Sequence, residues 1–285
     1  MKQPKAVIII GSVRSGTNML RDILVKIPNH GTWDCDEINP IWRHGNLNHP
    51  HDELSKEMAT PRIVAFIRNE FRKIAKSLKV NTVVEKSTAN SLRLAYVNKI
   101  FPDAKYIFIY RDGRDVAASA QLRWNAKFDF NYSLKKFRYV PLVDMPYILF
   151  YYISNRIKGI FSSEQKLKSW GPRYENMDED VKKYSILEVC ALQWKHYVEN
   201  TLEDLPQVES NNLLTLKYET LVNNPEEEMI KVCKFLDLPS ETVQQHQLTK
   251  GISNRSVGNW KKLDKKQIDL IEKHIDPLLS KLNYK

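Results

Sequence analysis

Ala6-Val7-Ile8-Ile9-Ile10-Gly11-Ser12-Val13-Arg14-Ser15-Gly16-Thr17-Asn18 is the stretch that decides the fold. Its apolar half has no polar alternation, as expected of a parallel strand buried on both faces. Residues 19–27 follow, with Leu20, Ile23, Leu24 and Ile27 on one helical face. Strand, glycine-bearing loop and helix together aim backbone N–H groups and a helix N-terminus at an anion. Gly11 and Gly16 have the Gly-x4-Gly spacing of a Walker A loop, but Thr17-Asn18 stands where the Lys-Ser/Thr pair should be. The loop's cation is Arg14, inside the glycine pair rather than after it. Read alone, the stretch is either a phosphate cradle or an ordinary strand–helix turn with a surface arginine.

Outward from this loop the chain keeps an alternating rhythm. Ile63, Phe66, Ile67, Phe71, Ile74 and Leu78 recur at helical spacing behind Pro61. A β-branched run at 82–85 predicts a strand, 92–101 a helix, 105–110 a strand and 114–122 a helix. Further on, 185–200 predicts a helix, 213–217 a strand and 225–236 a helix with three glutamates near its positive end. The last helix, 264–282, is expected to bend at Pro277. This pattern predicts an α/β fold, P-loop-like and three-layered, with a central parallel sheet flanked by helices. The rhythm breaks between 124 and 180, a segment rich in Tyr, Phe, Lys and Arg. We read it as a mostly helical insertion in a single domain spanning 1–285, since so many large apolar groups do not stay solvated.

Composition narrows the function classes. At 285 residues, the chain is long enough for one large α/β domain. A net charge of +10 favours anionic partners: a nucleotide, an acidic glycan, nucleic acid or an anionic membrane surface. Cys35, Cys190 and Cys233 are far apart, so neither a zinc site nor a disulfide framework is expected. No signal peptide is read before the first strand and no apolar run approaches a membrane span, so a cytoplasmic location is expected.

Three further stretches carry possible chemistry. Arg111, in Tyr110-Arg111-Asp112-Gly113-Arg114-Asp115, sits at the carboxyl end of an expected strand, where open α/β sheets bind ligands. Ser119 on the next helix could share an anion with it, although a basic turn is as readily a solvated one. Glu85-Lys86-Ser87 ends another expected strand, as a site pair or as a minor surface ion pair. Asn254-Arg255-Ser256-Val257-Gly258-Asn259-Trp260-Lys261 is either a loop that closes over a nucleotide or one whose Trp fills the core.

Together these stretches resemble the sulfotransferase superfamily, which uses 3′-phosphoadenosine 5′-phosphosulfate (PAPS) and releases adenosine 3′,5′-bisphosphate (PAP). Arg14-Ser15-Gly16-Thr17 resembles the family's 5′-phosphosulfate loop, and Arg111 with Ser119, eight positions on, its 3′-phosphate motif. Gly258-Asn259-Trp260-Lys261 resembles its Gly-x-Trp-Lys segment, and Lys217-Tyr218-Glu219-Thr220-Leu221 with Pro225 and residues 235–239 a structural stretch found across it. Arg14 and the Glu85-Lys86-Ser87 run are closer to the tyrosyl-protein and glycan-modifying branches than to the cytosolic phenol branch, which carries Lys in the loop and a catalytic His. Asn18 stands where the family usually has a second Thr. His30, His44, His49 and His51 lie in polar loops and match no catalytic context.

The resemblance implies in-line transfer of a sulfuryl group to a hydroxyl or amine, without a metal. Arg14 and Lys86 would stabilise the leaving oxygen. Gly11 and the backbone N–H groups of Ser15, Gly16, Thr17 and Asn18 would hold the 5′-phosphosulfate. Arg111, Ser119 and Arg255 would hold the 3′-phosphate, Trp260 would line the adenine pocket, and Gly258 and Lys261 would also bind the cofactor. The general base is Glu37, by resemblance to tyrosyl-protein enzymes, or Glu85, by resemblance to N-sulfating glycan enzymes; Glu37 is preferred and Asp36 is third. The acceptor is expected to be a saccharide, glycan or lipid-linked molecule chosen by the 124–180 insertion, with peripheral membrane contact open and no specific nucleic acid. A P-loop kinase or NTPase and a non-catalytic nucleic-acid-binding protein are the rival readings.

Overall fold

A computed structural model describes residues 3–124, 139–146 and 170–285. Its centre is a five-stranded sheet: β1 (Lys5–Ile10), β2 (His30–Gly31), β3 (Thr82–Glu85), β4 (Lys105–Tyr110) and β5 (Leu213–Lys217), in the order β2-β3-β1-β4-β5. Every pairing is parallel, with Ile8 of β1 level with Glu85 on one side and Tyr106 on the other. The strand order reverses at β1, so a crevice opens beyond its carboxyl end. Parallel pairing brings the ends of β1, β3, β4 and β5 to the same edge of the sheet.

The β1 side chains explain the layers. Ala6, Ile8 and Ile10 pack into one buried cluster, and Val7 and Ile9 into the other. The first cluster is closed by α3 (Pro61–Leu78), α4 (Leu94–Ile100), α5 (Gly113–Trp124), and two helices that come later in the chain. These two are α6 (Met177–Lys183) and α7 (Ile186–Asp204). The second cluster is closed by α1 (Thr17–Leu24), α8 (Tyr218–Asn223) and α9 (Pro225–Phe235). Short α2 (Asn39–Trp42) and α10 (Thr242–Gln245) complete the loops, and α11 (Lys265–Lys281) closes the first layer. Burying one such branched or aromatic side chain contributes about 1.5–3 kcal/mol, so both faces of β1 are strongly fixed.

Local signals set the helix starts. Thr60 caps α3, accepting from the Ile63 N–H, and Pro61 occupies the first turn, where it costs no hydrogen bond. Capping boxes open α7 at Ser185/Glu188 and α11 at Asp264/Gln267. Helix α11 continues through Pro277 to Lys281. The sequence reading missed β2, which has only two residues, and α2 and α10, each of four.

Much of the expected 124–180 insertion, including the aromatic run at 147–158, lies outside the described residues. Its described parts are residues 139–146 and 170–180, where α6 begins. All three cysteines are buried. Among the described residues no helix is long and apolar enough to cross a membrane.

Candidate active site

The β1–α1 loop is built around its glycines. A Cβ on Gly11 would lie 2.5 Å from the Ile109 carbonyl oxygen, and the Gly11 N–H donates to Ser91 Oγ at 2.9 Å. Gly16 has φ +89°, and a Cβ there would lie 2.6 Å from Tyr218 Cδ2. Arg14 also has positive φ, at 63°. Ser12 and Ser15 tie the loop together by a 2.6 Å hydroxyl contact, and the Ser15 N–H turns back to the Ser12 carbonyl at 3.3 Å. Gly16 provides no side-chain cap for α1. Helix geometry leaves the first-turn N–H groups, at Thr17 and Asn18, without intrahelical acceptors. A left-handed turn running into a helix start is an anion nest.

Arg14 reaches across to α5, where its Nε donates to Ser119 Oγ at 2.9 Å. Its guanidinium is held below the ordinary value, first by partial desolvation and then by the charges of Arg123 and Arg111. Cations that disfavour one another's charge are relieved by an anion placed among them.

Arg111 leaves β4 almost fully buried. Its Nη1 donates to the Arg14 carbonyl at 3.1 Å, its Nη2 to the Ser256 carbonyl, and its guanidinium lies 4.5 Å over the Tyr218 ring. Asp115 is 3.4 Å away, one helical turn on. Arg111 Nε is buried and finds no hydrogen-bond partner among the described residues. Such an orphan donor calls for an acceptor, and a phosphate oxygen fits.

Asp115 itself was missed in the sequence. It is 2% exposed, and its two oxygens accept from the Gly258 N–H at 2.8 Å and the Trp260 N–H at 2.9 Å. It therefore fastens the Gly258–Lys261 segment to the start of α5. Tyr218, read only as part of a structural stretch, backs Gly16 and Arg111 and hydrogen-bonds Ser256 Oγ at 2.8 Å. Trp260 lies flat enough against α5 for the Arg114 guanidinium to sit 3.9 Å from its ring centre, while Arg114 also pairs with Asp112 and Glu272. Arg255 and Lys261 are exposed at this rim.

The third group lies beyond β3. Lys86 Nζ, buried, donates to Glu37 Oε1 at 3.1 Å. Thr88 donates to the same oxygen twice, from Oγ1 at 2.7 Å and from its backbone N–H at 3.3 Å. Arg21 of α1 anchors the loop that bears Glu37, donating from Nη1 to the Asp36 carbonyl at 3.2 Å. Asp36 is turned to Arg21, which also holds Asp22. Tyr139, within the 124–180 segment, hydrogen-bonds Asp34 on the same loop.

Glu85 sits differently. It is 1% exposed, and its carboxylate accepts from Trp42 Nε1 at 3.0 Å, Ser87 Oγ at 2.5 Å and Asn90 Nδ2 at 2.9 Å. Burial raises its carboxyl above the ordinary value, partly offset by hydrogen bonds from Ser87 and Trp42 that favour the ion. The structure thus joins Arg14, Ser119 and Arg111 in one hydrogen-bonded group and Glu37 with Lys86 in another. Glu85 belongs to neither.

A family model for the sulfotransferase domain matches residues 4–281. A comparison with curated proteins finds no match. Among solved structures, the chain is similar to the sulfotransferase domain from the curacin biosynthetic pathway, with TM-score 0.53, 17% identity, and 100% of this chain and 99% of that one covered. It is similar to sulfotransferase STF9 from Mycobacterium avium, with TM-score 0.53, 10% identity, and 99% and 77% covered. A sulfotransferase from Alicyclobacillus acidocaldarius gives TM-score 0.51, 14% identity, and 100% and 96% covered. Likeness at these identities speaks for the fold, and the family match speaks for the chemistry.

Proposed function

The chain belongs to the sulfotransferase family, and from that premise we propose that Glu37, Lys86 and Arg14 carry out transfer of a sulfuryl group from PAPS to an acceptor hydroxyl. The observation that carries this reading is the Lys86–Glu37 contact of 3.1 Å, placed at the sheet edge where the anion loop opens. A carboxylate and an ammonium side by side suit the two charges the reaction moves. PAPS supplies an activated sulfuryl group on a phosphate leaving group.

Each residue then has a separate task. Glu37 takes the proton of the attacking hydroxyl. Lys86 and Arg14 face the bridging oxygen, which gains negative charge as its bond to sulfur breaks and the acceptor's bond to sulfur forms. The N–H groups at Gly16, Thr17 and Asn18 hold the 5′-phosphate. Arg111 Nε and Ser119 hold the 3′-phosphate, with Arg255 at the rim, and Gly258, Trp260 and Lys261 flank the adenine. The chemistry resembles phosphoryl transfer in that positioning and charge stabilisation do most of the work.

For the acceptor we propose a saccharide or glycan hydroxyl, selected by residues of the 124–180 segment within a single sulfotransferase domain. The net charge of +10 and the aromatic-basic composition of that segment support this choice. The test is a transfer assay with labelled PAPS against glycans, lipids, phenols and tyrosine peptides. Calorimetry with PAP in EDTA accompanies it. PAP binding in EDTA with transfer to a glycan is the expected result. Preference for Mg-ATP would overturn sulfuryl transfer, and transfer to phenols alone would overturn the glycan assignment.

A further inference from the structure

Glu85 is a candidate base that the Glu37–Lys86 pair leaves aside, and its surroundings define another task. Every partner of its carboxylate is a donor of fixed direction. Trp42 Nε1 can only donate. Ser87 Oγ accepts the Ile38 N–H at 3.2 Å, so its own hydrogen goes to Glu85 Oε1. Asn90 is oriented from its other end, because Arg93 Nε donates to its Oδ1 at 3.0 Å and leaves Nδ2 for Glu85 Oε2.

The network continues away from the site. Arg93, 1% exposed, donates from Nη2 to Asn39 Oδ1 at 2.6 Å, and Asn39 Nδ2 donates to Asp52 Oδ1 at 3.0 Å. Arg43 Nη1 reaches the same Asp52 oxygen at 3.2 Å. Two segments are joined by these bonds. Residues 38–52 follow directly on Glu37, whereas residues 85–93 carry Lys86 and Thr88. The Ile38–Ser87–Glu85 bridge lies one residue from each member of the Glu37–Lys86 pair.

We infer that Glu85 is a positioning residue whose buried carboxylate, acting through Ser87, holds the Glu37 segment in register with Lys86 and takes no proton from the acceptor. This rests on Glu37 being the base. Such a register matters because a displacement of about 1 Å can cost roughly 100-fold in rate. Glutamine cannot replace Glu85 silently, since its NH2 would face either the Ser87 and Trp42 donors or the Asn90 donor.

The experiment compares E85Q, S87A and E37Q with wild type. PAP release from labelled PAPS is followed from pH 5 to 9, with the panel's best acceptor and with water, and PAP affinity is measured by calorimetry. E85Q and S87A are expected to lower kcat by about 10- to 100-fold, leave PAP affinity within about twofold and keep the acid limb of the kcat profile. E37Q is expected to lose that limb. S87A leaves the Glu85 carboxylate in place, so it decides the matter if E85Q does not fold. Wild-type kcat in S87A or in folded E85Q overturns the inference and leaves Glu37 standing as the base. Loss of the acid limb in E85Q but not in E37Q makes Glu85 the base and overturns both. A fully active E37Q overturns the reading beneath the inference.

Discussion

Replacing Arg111 by Lys tests the proposed 3′-phosphate assignment while keeping a cation at that position. Lysine keeps a positive charge beside Asp115, which sits 3.4 Å from the guanidinium. What it loses is the fork: Nη1 to the Arg14 carbonyl at 3.1 Å, Nη2 to the Ser256 carbonyl, and the buried Nε that has no hydrogen-bond partner among the described residues. A hydrogen bond to a charged group is worth about 1.5–3 kcal/mol. Losing one such bond to the 3′-phosphate weakens binding roughly 10- to 150-fold, since 1.4 kcal/mol is a factor of ten. The assay is calorimetry with PAP and, in parallel, with adenosine 5′-monophosphate, which has no 3′-phosphate. PAP affinity should fall by that factor while the monophosphate changes by less than about threefold. Thermal melting of both proteins checks the fold. An equal loss for both ligands would show that Arg111 acts on the loop as a whole. Unchanged PAP affinity would refute the assignment outright.

E37Q should lower turnover by roughly 100- to 10,000-fold with PAP affinity near wild type, and a variant that turns over normally would remove Glu37 as the base. Gly16→Ala should lower the melting temperature more than Gly251→Ala, because both glycines have φ +89° but only Gly16 would press a Cβ against Tyr218, at 2.6 Å. Backbone strain of about 1–3 kcal/mol corresponds to a fall of roughly 2–12 °C, and equal melting shifts would refute the packing part of the argument. His196 stacks on Tyr174 at 4.2 Å between ring centres, and burial holds it below the ordinary histidine value. The unfolded chain therefore binds more protons than the native one in the window just below pH 6.5, so stability should rise with pH through it. His30 and His51 are shifted in the same direction, so His196→Gln should reduce the slope measured by urea unfolding without abolishing it. An unaltered slope would contradict this.

How much could be read from the chain depended on whether the information was local. The β1 run and the α3 spacing name their elements because a buried strand and an amphipathic helix each repeat within a few residues. Gly11 and Gly16 were legible for the same reason: a tight loop leaves its demand on backbone conformation at fixed positions. Asp115 was not legible as a clamp, because its partners Gly258 and Trp260 lie more than a hundred residues away and are held by backbone N–H groups that leave no mark on side-chain identity. Glu85 and Glu37 show the same limit from another side. Both stand near a lysine in sequence or in space, and only the fold shows that Lys86 turns to Glu37 while Glu85 turns inward to Trp42, Ser87 and Asn90. Two-residue β2 is set by its register with Thr82 and Val83, a tertiary fact rather than a local one.

The arginines of the two proposed phosphate sites show how motifs far apart in the chain meet in one hydrogen-bonded group. Arg111 holds the backbone of Arg14 through its carbonyl, and Arg14 in turn reaches Ser119, eight residues beyond Arg111. Each motif therefore shapes the other. The positive φ of Arg14 turns its carbonyl and side chain to opposite uses, one toward Arg111 and one toward α5. Tyr218 closes the arrangement by packing on Gly16 and under Arg111, so that the ends of β1, β4 and β5 all meet at the proposed anion site. A site assembled this way gains its charge from elements that repel one another, as Arg14 does with Arg111 and Arg123. Buried backbone carbonyls and Asp115 hold the cations in place against that repulsion, and an anion bound among them relieves it. A 3′,5′-bisphosphate bound as proposed would offset the same repulsion that these contacts hold in check.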